Sequence, residues 1–135
     1  MKRIPKISES EWAVMKVLWK KSPLTANEIV GILTKKSEWK KETVRTFVNR
    51  LVQKKAIGYE RQGRQYDYFP LVTEKQCVLA ETKAFLKKMP AESIEPMLAS
   101  FVEEDSLPPG TIKRLRRILD KAESSRNKKG EKKGR

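Results

Sequence analysis

Between Ser8 and Pro70 the apolar residues change period once, from helical spacing to strict alternation, and this change limits the fold more than any other feature of the chain. Ile7-Ser8-Glu9-Ser10-Glu11 has the form of a capping box, with Ser8 as N-cap and Glu11 at the third helical position. Trp12, Met15, Val17, Leu18 and Trp19 follow at helical spacing, predicting a helix over about 9–20 that ends in Lys20-Lys21-Ser22-Pro23. A second box, Thr25-Ala26-Asn27-Glu28, opens a helix near 26–36 whose inward face is Ala26, Ile29, Val30 and Leu33. Trp39 sits in a short connection, and a third helix is expected from about Lys40 to Lys54, with Gly58 marking its exit. Ile57–Arg61 and Gln65–Phe69 then alternate as strands around Gln62-Gly63-Arg64, where Gly63 supplies the positive φ of a tight hairpin and Pro70 closes the second strand.

Three helices and a hairpin within some 70 residues is the element order of a winged helix-turn-helix. From Thr73 the pattern is helical again, with segments near 73–88, 92–104 and 110–123 separated by Pro90 and by Leu107-Pro108-Pro109-Gly110. Helices this short enclose a poor core alone, so pairing with a second copy is expected. The fold class is therefore mainly α with a small β-hairpin. A winged helix-turn-helix domain occupies 1–72, a three-helix dimerisation domain 73–123, and a disordered basic tail 124–135. The expected dimer contacts are Phe85, Leu98, Phe101, Ile112, Leu115 and Leu119.

Charge divides along the same lines. The formal net charge is +14, and residues 1–71 carry 16 basic against 7 acidic side chains, whereas 72–123 carry 9 of each and 124–135 carry 6 against 1. A basic first half beside a neutral second half points to one part that meets a polyanion. The chain has no histidine and a single cysteine, Cys77, which removes His/Cys zinc sites, Ser–His–Asp catalysis and disulfide frameworks. Cys77 reads as a small packed residue in a reducing compartment. Glu103-Glu104-Asp105 reads as a solvated turn, since three consecutive acids do not converge on one helical face. Neither a cofactor nor a metal is expected. The N-terminus has no apolar run behind its basic residues and no segment approaches a spanning length, so a cytoplasmic protein without direct membrane binding is expected.

On a wheel of the third helix, Val44, Phe47, Val48 and Leu51 cluster on one side, opposite Glu42, Thr46, Asn49 and Gln53. Thr43 and Arg45 flank the outward face near its N-terminal end, with Arg50 and Lys54 towards the other. Hydroxyl and amide side chains reach base edges or phosphates, and Arg pairs with two guanine acceptors in the major groove. Thr25 caps a helix whose first amides suit a phosphate. Arg61 and Arg64 bracket Gly63 at the tip of the hairpin. The candidate DNA-binding set is thus Thr25, Thr43, Arg45, Thr46, Asn49, Arg50, Arg61 and Arg64. The alternatives are a basic architectural or RNA-associated protein without a specific operator, and a metal-dependent nuclease, for which no convergent carboxylates are present.

Several runs carry a family resemblance: Ile7-Ser8…Glu11-Trp12…Val14-Met15…Leu18-Trp19, Thr25-Ala26-Asn27-Glu28-Ile29, Trp39…Thr43-Val44-Arg45-Thr46 and Asn49-Arg50-Leu51-Val52. Lys55-Ala56-Ile57, Gly63-Arg64…Tyr66…Tyr68 and Glu81-Thr82-Lys83…Phe85-Leu86 extend it to about residue 122. The chain resembles the penicillinase-repressor family, the BlaI/MecI/CopY group. The resemblance implies a non-catalytic homodimeric repressor that binds double-stranded, dyad-symmetric operators and controls β-lactam resistance or, in one branch, copper export. It also implies DNA contacts by Thr43, Arg45 and Thr46 and a wing contact by Arg64. In the β-lactam branch a membrane sensor-protease system triggers cleavage of an Asn-Phe bond, whose counterpart here is Ser100-Phe101. Two departures stand out: Lys40-Lys41-Glu42 replaces the family's frequent Ser-Pro-Lys, and Ser100 replaces Asn. The cysteine cluster of the copper branch is missing.

Overall fold

The computed structural model describes residues 3–104 and 107–133, with side chains described as far as Lys129. Asp105, at the end of the acidic turn, and the last two residues of the tail lie outside the described residues. The chain forms two compact units, one ending at Lys87 and one beginning at Lys88.

The first unit is built from α1 (Glu9–Lys20), β1 (Leu24–Thr25), α2 (Ala26–Lys36), α3 (Lys41–Gln53), β2 (Ile57–Gln62), β3 (Gln65–Pro70) and α4 (Glu74–Lys88). Both capping boxes form reciprocally: Ser8 with Glu11 opens α1, and Thr25 with Glu28 opens α2. One face of each helix closes the core, with Val14, Met15 and Leu18 of α1, Ile29 and Leu33 of α2, and Val44, Val48 and Leu51 of α3 all buried. The outward arc expected of α3 is exposed at Glu42, Thr46, Asn49 and Gln53.

Several features differ from the sequence reading. The hairpin is part of a three-stranded antiparallel sheet of order β1-β3-β2, because Leu24 and Thr25 pair with Tyr68 and Asp67. A two-residue strand has no periodicity to read. The exit of α3 is made not by Gly58 but by Lys55, which takes φ 64°. The amides of Lys55 and Ala56 donate to the Val52 and Leu51 carbonyls, each at 3.0 Å, forming a Schellman end with buried Ala56 behind it. Gly58 lies within β2, where a Cβ would come within 3.2 Å of Phe69 and Leu71. Gly63 does turn the hairpin, at φ 65°.

The boundary expected at 72/73 falls later, because Val72 and Cys77 are buried in the first unit's core. The Trp19 indole, edge-on to Trp12 at 5.4 Å between ring centres, donates to the Val72 carbonyl at 2.9 Å and pins the start of α4 to α1. Burial pushes the Cys77 thiol up, so it is a packed, protonated side chain.

The second unit contains a 3-10 turn (Ala91–Ser93), α5 (Ile94–Glu103) and α6 (Thr111–Lys133). Helix α6 continues through 124–133, where a disordered tail is expected. The lack of apolar residues does not end the helix: Arg126, Lys128, Lys129, Lys132 and Lys133 are good helix formers, and they carry it past the poorer Ser124, Ser125, Asn127 and Gly130. No described side chain of this unit is buried. Among the described residues no helix is long and apolar enough to cross a membrane, and no cluster of acids and cysteine is arranged to hold a metal.

Candidate nucleic-acid interface

Helix α3, the N-terminus of α2 and the hairpin meet at a concavity of about 510 Å³ lined by Thr25, Ala26, Asn27, Arg45, Arg64, Gln65, Tyr66 and Tyr68. Three elements distant in sequence thus bring Thr25, Arg45 and Arg64 to one hollow. Sheet pairing explains the placement: β1 joins β3 at Thr25 opposite Asp67, so the cap of α2 is fixed to the middle of the hairpin.

At this cap the Thr25 hydroxyl oxygen accepts from the Glu28 amide at 3.2 Å, and the Glu28 carboxylate accepts from the Thr25 amide at 3.0 Å. The Thr25 backbone amide, then its hydroxyl, hold the Glu28 carboxyl below its ordinary value. The amides of Ala26 and Asn27 have no acceptor within the helix and are left for an anion. Arg45 donates from Nη2 to the Asn27 side-chain oxygen at 2.8 Å.

The remaining predicted residues are spread around this hollow. Thr46, Asn49 and Arg50 are exposed on α3, and Thr43 is half-buried. The Thr46 hydroxyl donates to the Glu42 carbonyl at 2.9 Å, which commits its proton and leaves its oxygen as an acceptor. Arg61 donates from Nε to the Gly63 carbonyl at 2.9 Å, bracing the hairpin tip from within. Lys54, placed on the outer face by the wheel, instead pairs with buried Glu11 of α1.

The sequence reading missed two kinds of participant. One is Asn27, whose link to Arg45 spans 18 positions. The other is an aromatic wall on the hairpin: Tyr59 lies opposite Tyr68, and Tyr66 packs edge-on against Tyr59 at 4.8 Å between ring centres. Period-two spacing puts Tyr66 and Tyr68 on one face of β3, a signal available in the sequence. Burial raises the Tyr68 hydroxyl pKa, as do Tyr66 and Tyr59, against a smaller opposing effect of Arg45.

In the second unit, Leu98, Phe101, Ile112, Leu115 and Leu119 line a second, apolar hollow of about 330 Å³ between α5 and α6. Phe85 is not part of it; it lies half-exposed on α4 in the first unit. The Ser100–Phe101 bond lies inside α5, with the Ser100 carbonyl accepting from the Glu104 amide at 3.1 Å.

Three helices closed by a small sheet, with the third helix and hairpin flanking one open face, define a winged helix. The chain belongs to the penicillinase repressor family, whose model matches residues 7–121. It is 35% identical over 131 residues to the penicillinase repressor of Bacillus licheniformis, covering 97% of this chain and all of that one. It is 31% identical over 115 residues to the methicillin resistance regulatory protein MecI of Staphylococcus aureus, covering 85% of this chain and 94% of the relative. The solved DNA-binding domain of the repressor BlaI superposes with a TM-score of 0.50 at 42% identity, covering 55% of this chain and 90% of that domain. The family is one of transcriptional repressors, not enzymes.

Proposed function

We propose that this chain is a cytoplasmic homodimeric repressor that binds a dyad-symmetric DNA operator and blocks transcription by occupying it. The observation that carries the reading is the convergence of Thr25, Arg45 and Arg64 on one concavity beside the exposed face of α3. In this reading α3 enters the major groove, with Thr43, Arg45, Thr46, Asn49 and Arg50 towards bases and phosphates. The first amides of α2 and the hairpin arginines Arg61 and Arg64 take the backbone on either side.

The second unit supports pairing with a second copy. Phe101 is 50%, Leu119 60% and Ile118 62% exposed, and a helix pair in which no described side chain is buried lacks the core needed to persist alone. Charge favours self-association as well: 91–104 carries Glu92, Glu95, Glu103 and Glu104 with no basic residue, whereas α6 is rich in Lys and Arg. Opposed copies match acid to base around the apolar hollow. The names of the relatives point to an operon for β-lactam resistance or a related stress.

Repression ends, in this account, when dimerisation is lost, through a weakened interface or through a membrane sensor-protease system cutting Ser100–Phe101. The latter requires α5 to unwind locally, because the bond lies within hydrogen-bonded helix. Footprinting on the DNA upstream of the chain's own gene tests the proposal: a discrete protected dyad supports it, and uniform coverage without a preferred site refutes it.

A further inference from the structure

Asn27 has no local reason to be asparagine. It is the second residue of α2, whose cap is already supplied by Thr25 and Glu28, so the capping box does not call for it. Its side-chain oxygen instead accepts from Arg45 Nη2 at 2.8 Å, across two elements. The anchor is rigid: the capping box fixes the first turn of α2, and pairing of Thr25 with Asp67 ties that turn to the sheet. Both side chains line the concavity that Arg64 and Tyr66 close from the hairpin side.

We propose that Asn27 is a positioning residue for Arg45 and thereby a determinant of DNA sequence specificity. Arginine offers five N–H donors in a planar fork; Asn27 occupies one and leaves four, including the pair on Nη1. A free arginine on an exposed helix samples many rotamers and satisfies a phosphate as readily as a base. Held from one side, its plane is set before DNA arrives, which favours two parallel bonds to one guanine over non-specific phosphate contact. The inference rests on the proposed role of α3 as the recognition helix.

The test uses full-length protein and a duplex library randomised over about two helical turns, with the selected pools sequenced for wild type, Asn27→Ala, Asn27→Asp and Arg45→Ala. Arg45→Ala should lose preference at one base pair of each half-site. Asn27→Ala should lose preference at that same pair by about tenfold, with the other positions and the thermal melting midpoint unchanged. Asn27→Asp keeps the acceptor and should retain the preference while weakening every sequence alike, since its carboxylate repels phosphate. The Asn27→Ala/Arg45→Ala double variant should lose no more preference than Arg45→Ala alone. Full preference in Asn27→Ala alongside its loss in Arg45→Ala overturns the positioning role by itself. Full preference in Arg45→Ala overturns the recognition-helix reading, and the inference falls with it.

Discussion

Replacing Lys54 by methionine isolates the one ion pair found among the described residues of the winged helix. Glu11 is 1% exposed, and its Oε1 accepts from the Ser8 amide at 2.9 Å and from Lys54 Nζ. Lys54 Nζ also donates to the Lys6 carbonyl at 2.9 Å, so one ammonium ties the end of α3 to the entry of α1. Burial pushes the Glu11 carboxyl up, but Lys54 and the Ser8 backbone together outweigh it and hold the group below 4.5. Breaking a fully buried pair costs about 3–5 kcal/mol. Here the lysine side chain is 36% exposed and the Ser8 amide stays in place, so water and that amide recover part of the loss. The expected cost is about 2 kcal/mol at neutral pH.

The pH dependence gives the test its sign. In wild type the lowered pKa of Glu11 stabilises the fold above the ordinary value of 4.5, and this is lost as pH falls through the folded value. In Lys54→Met burial is opposed only by Ser8; the folded pKa rises, and the penalty present at neutral pH is relieved on acidification. Urea unfolding of the two proteins should therefore show a gap that narrows from about pH 7 to about pH 4. Glu11→Gln in the Lys54→Met background should return stability to within about 1 kcal/mol of wild type, because glutamine also completes the capping box. A gap independent of pH, or no recovery with Glu11→Gln, refutes the reasoning.

Three further outcomes are expected. Arg64→Ala should weaken binding to all sequences alike and reduce the slope of log K against log salt by about 0.9, as measured by anisotropy titrations at several salt concentrations. Leu98→Glu together with Phe101→Glu should convert the protein to monomers in sedimentation at micromolar concentration, leaving the circular dichroism of the winged helix intact. Lys55→Gly should raise stability by about 0.5–1 kcal/mol in urea unfolding, since a left-handed φ of 64° strains any side chain with a Cβ.

Features set by short-range chemistry were legible in the sequence. Both capping boxes, the buried stripe Val44-Phe47-Val48-Leu51 and the turn at Gly63 each depend on neighbours within a few residues. What was not legible depends on partners far along the chain. Lys54 falls near the outer arc of an isolated wheel, and only the approach of α1 gives it Glu11, 43 positions away. Asn27 reads as one more polar residue in a first turn until α3 brings Arg45 to it. Strand β1 exists only because β3 passes beside Leu24, and the later boundary of the first unit follows from Cys77 finding that core. The persistence of α6 beyond residue 123 is a different matter: backbone propensity continues a helix that apolar patterning no longer marks.

Two copies reading two half-sites should distinguish a dyad duplex from a duplex of equal length holding a single half-site. Binding isotherms at fixed salt, with stoichiometry measured by sedimentation, should show two protomers on the dyad and much tighter binding there than on the half-site. Equal affinity for both duplexes, or one protomer on the dyad, would contradict it.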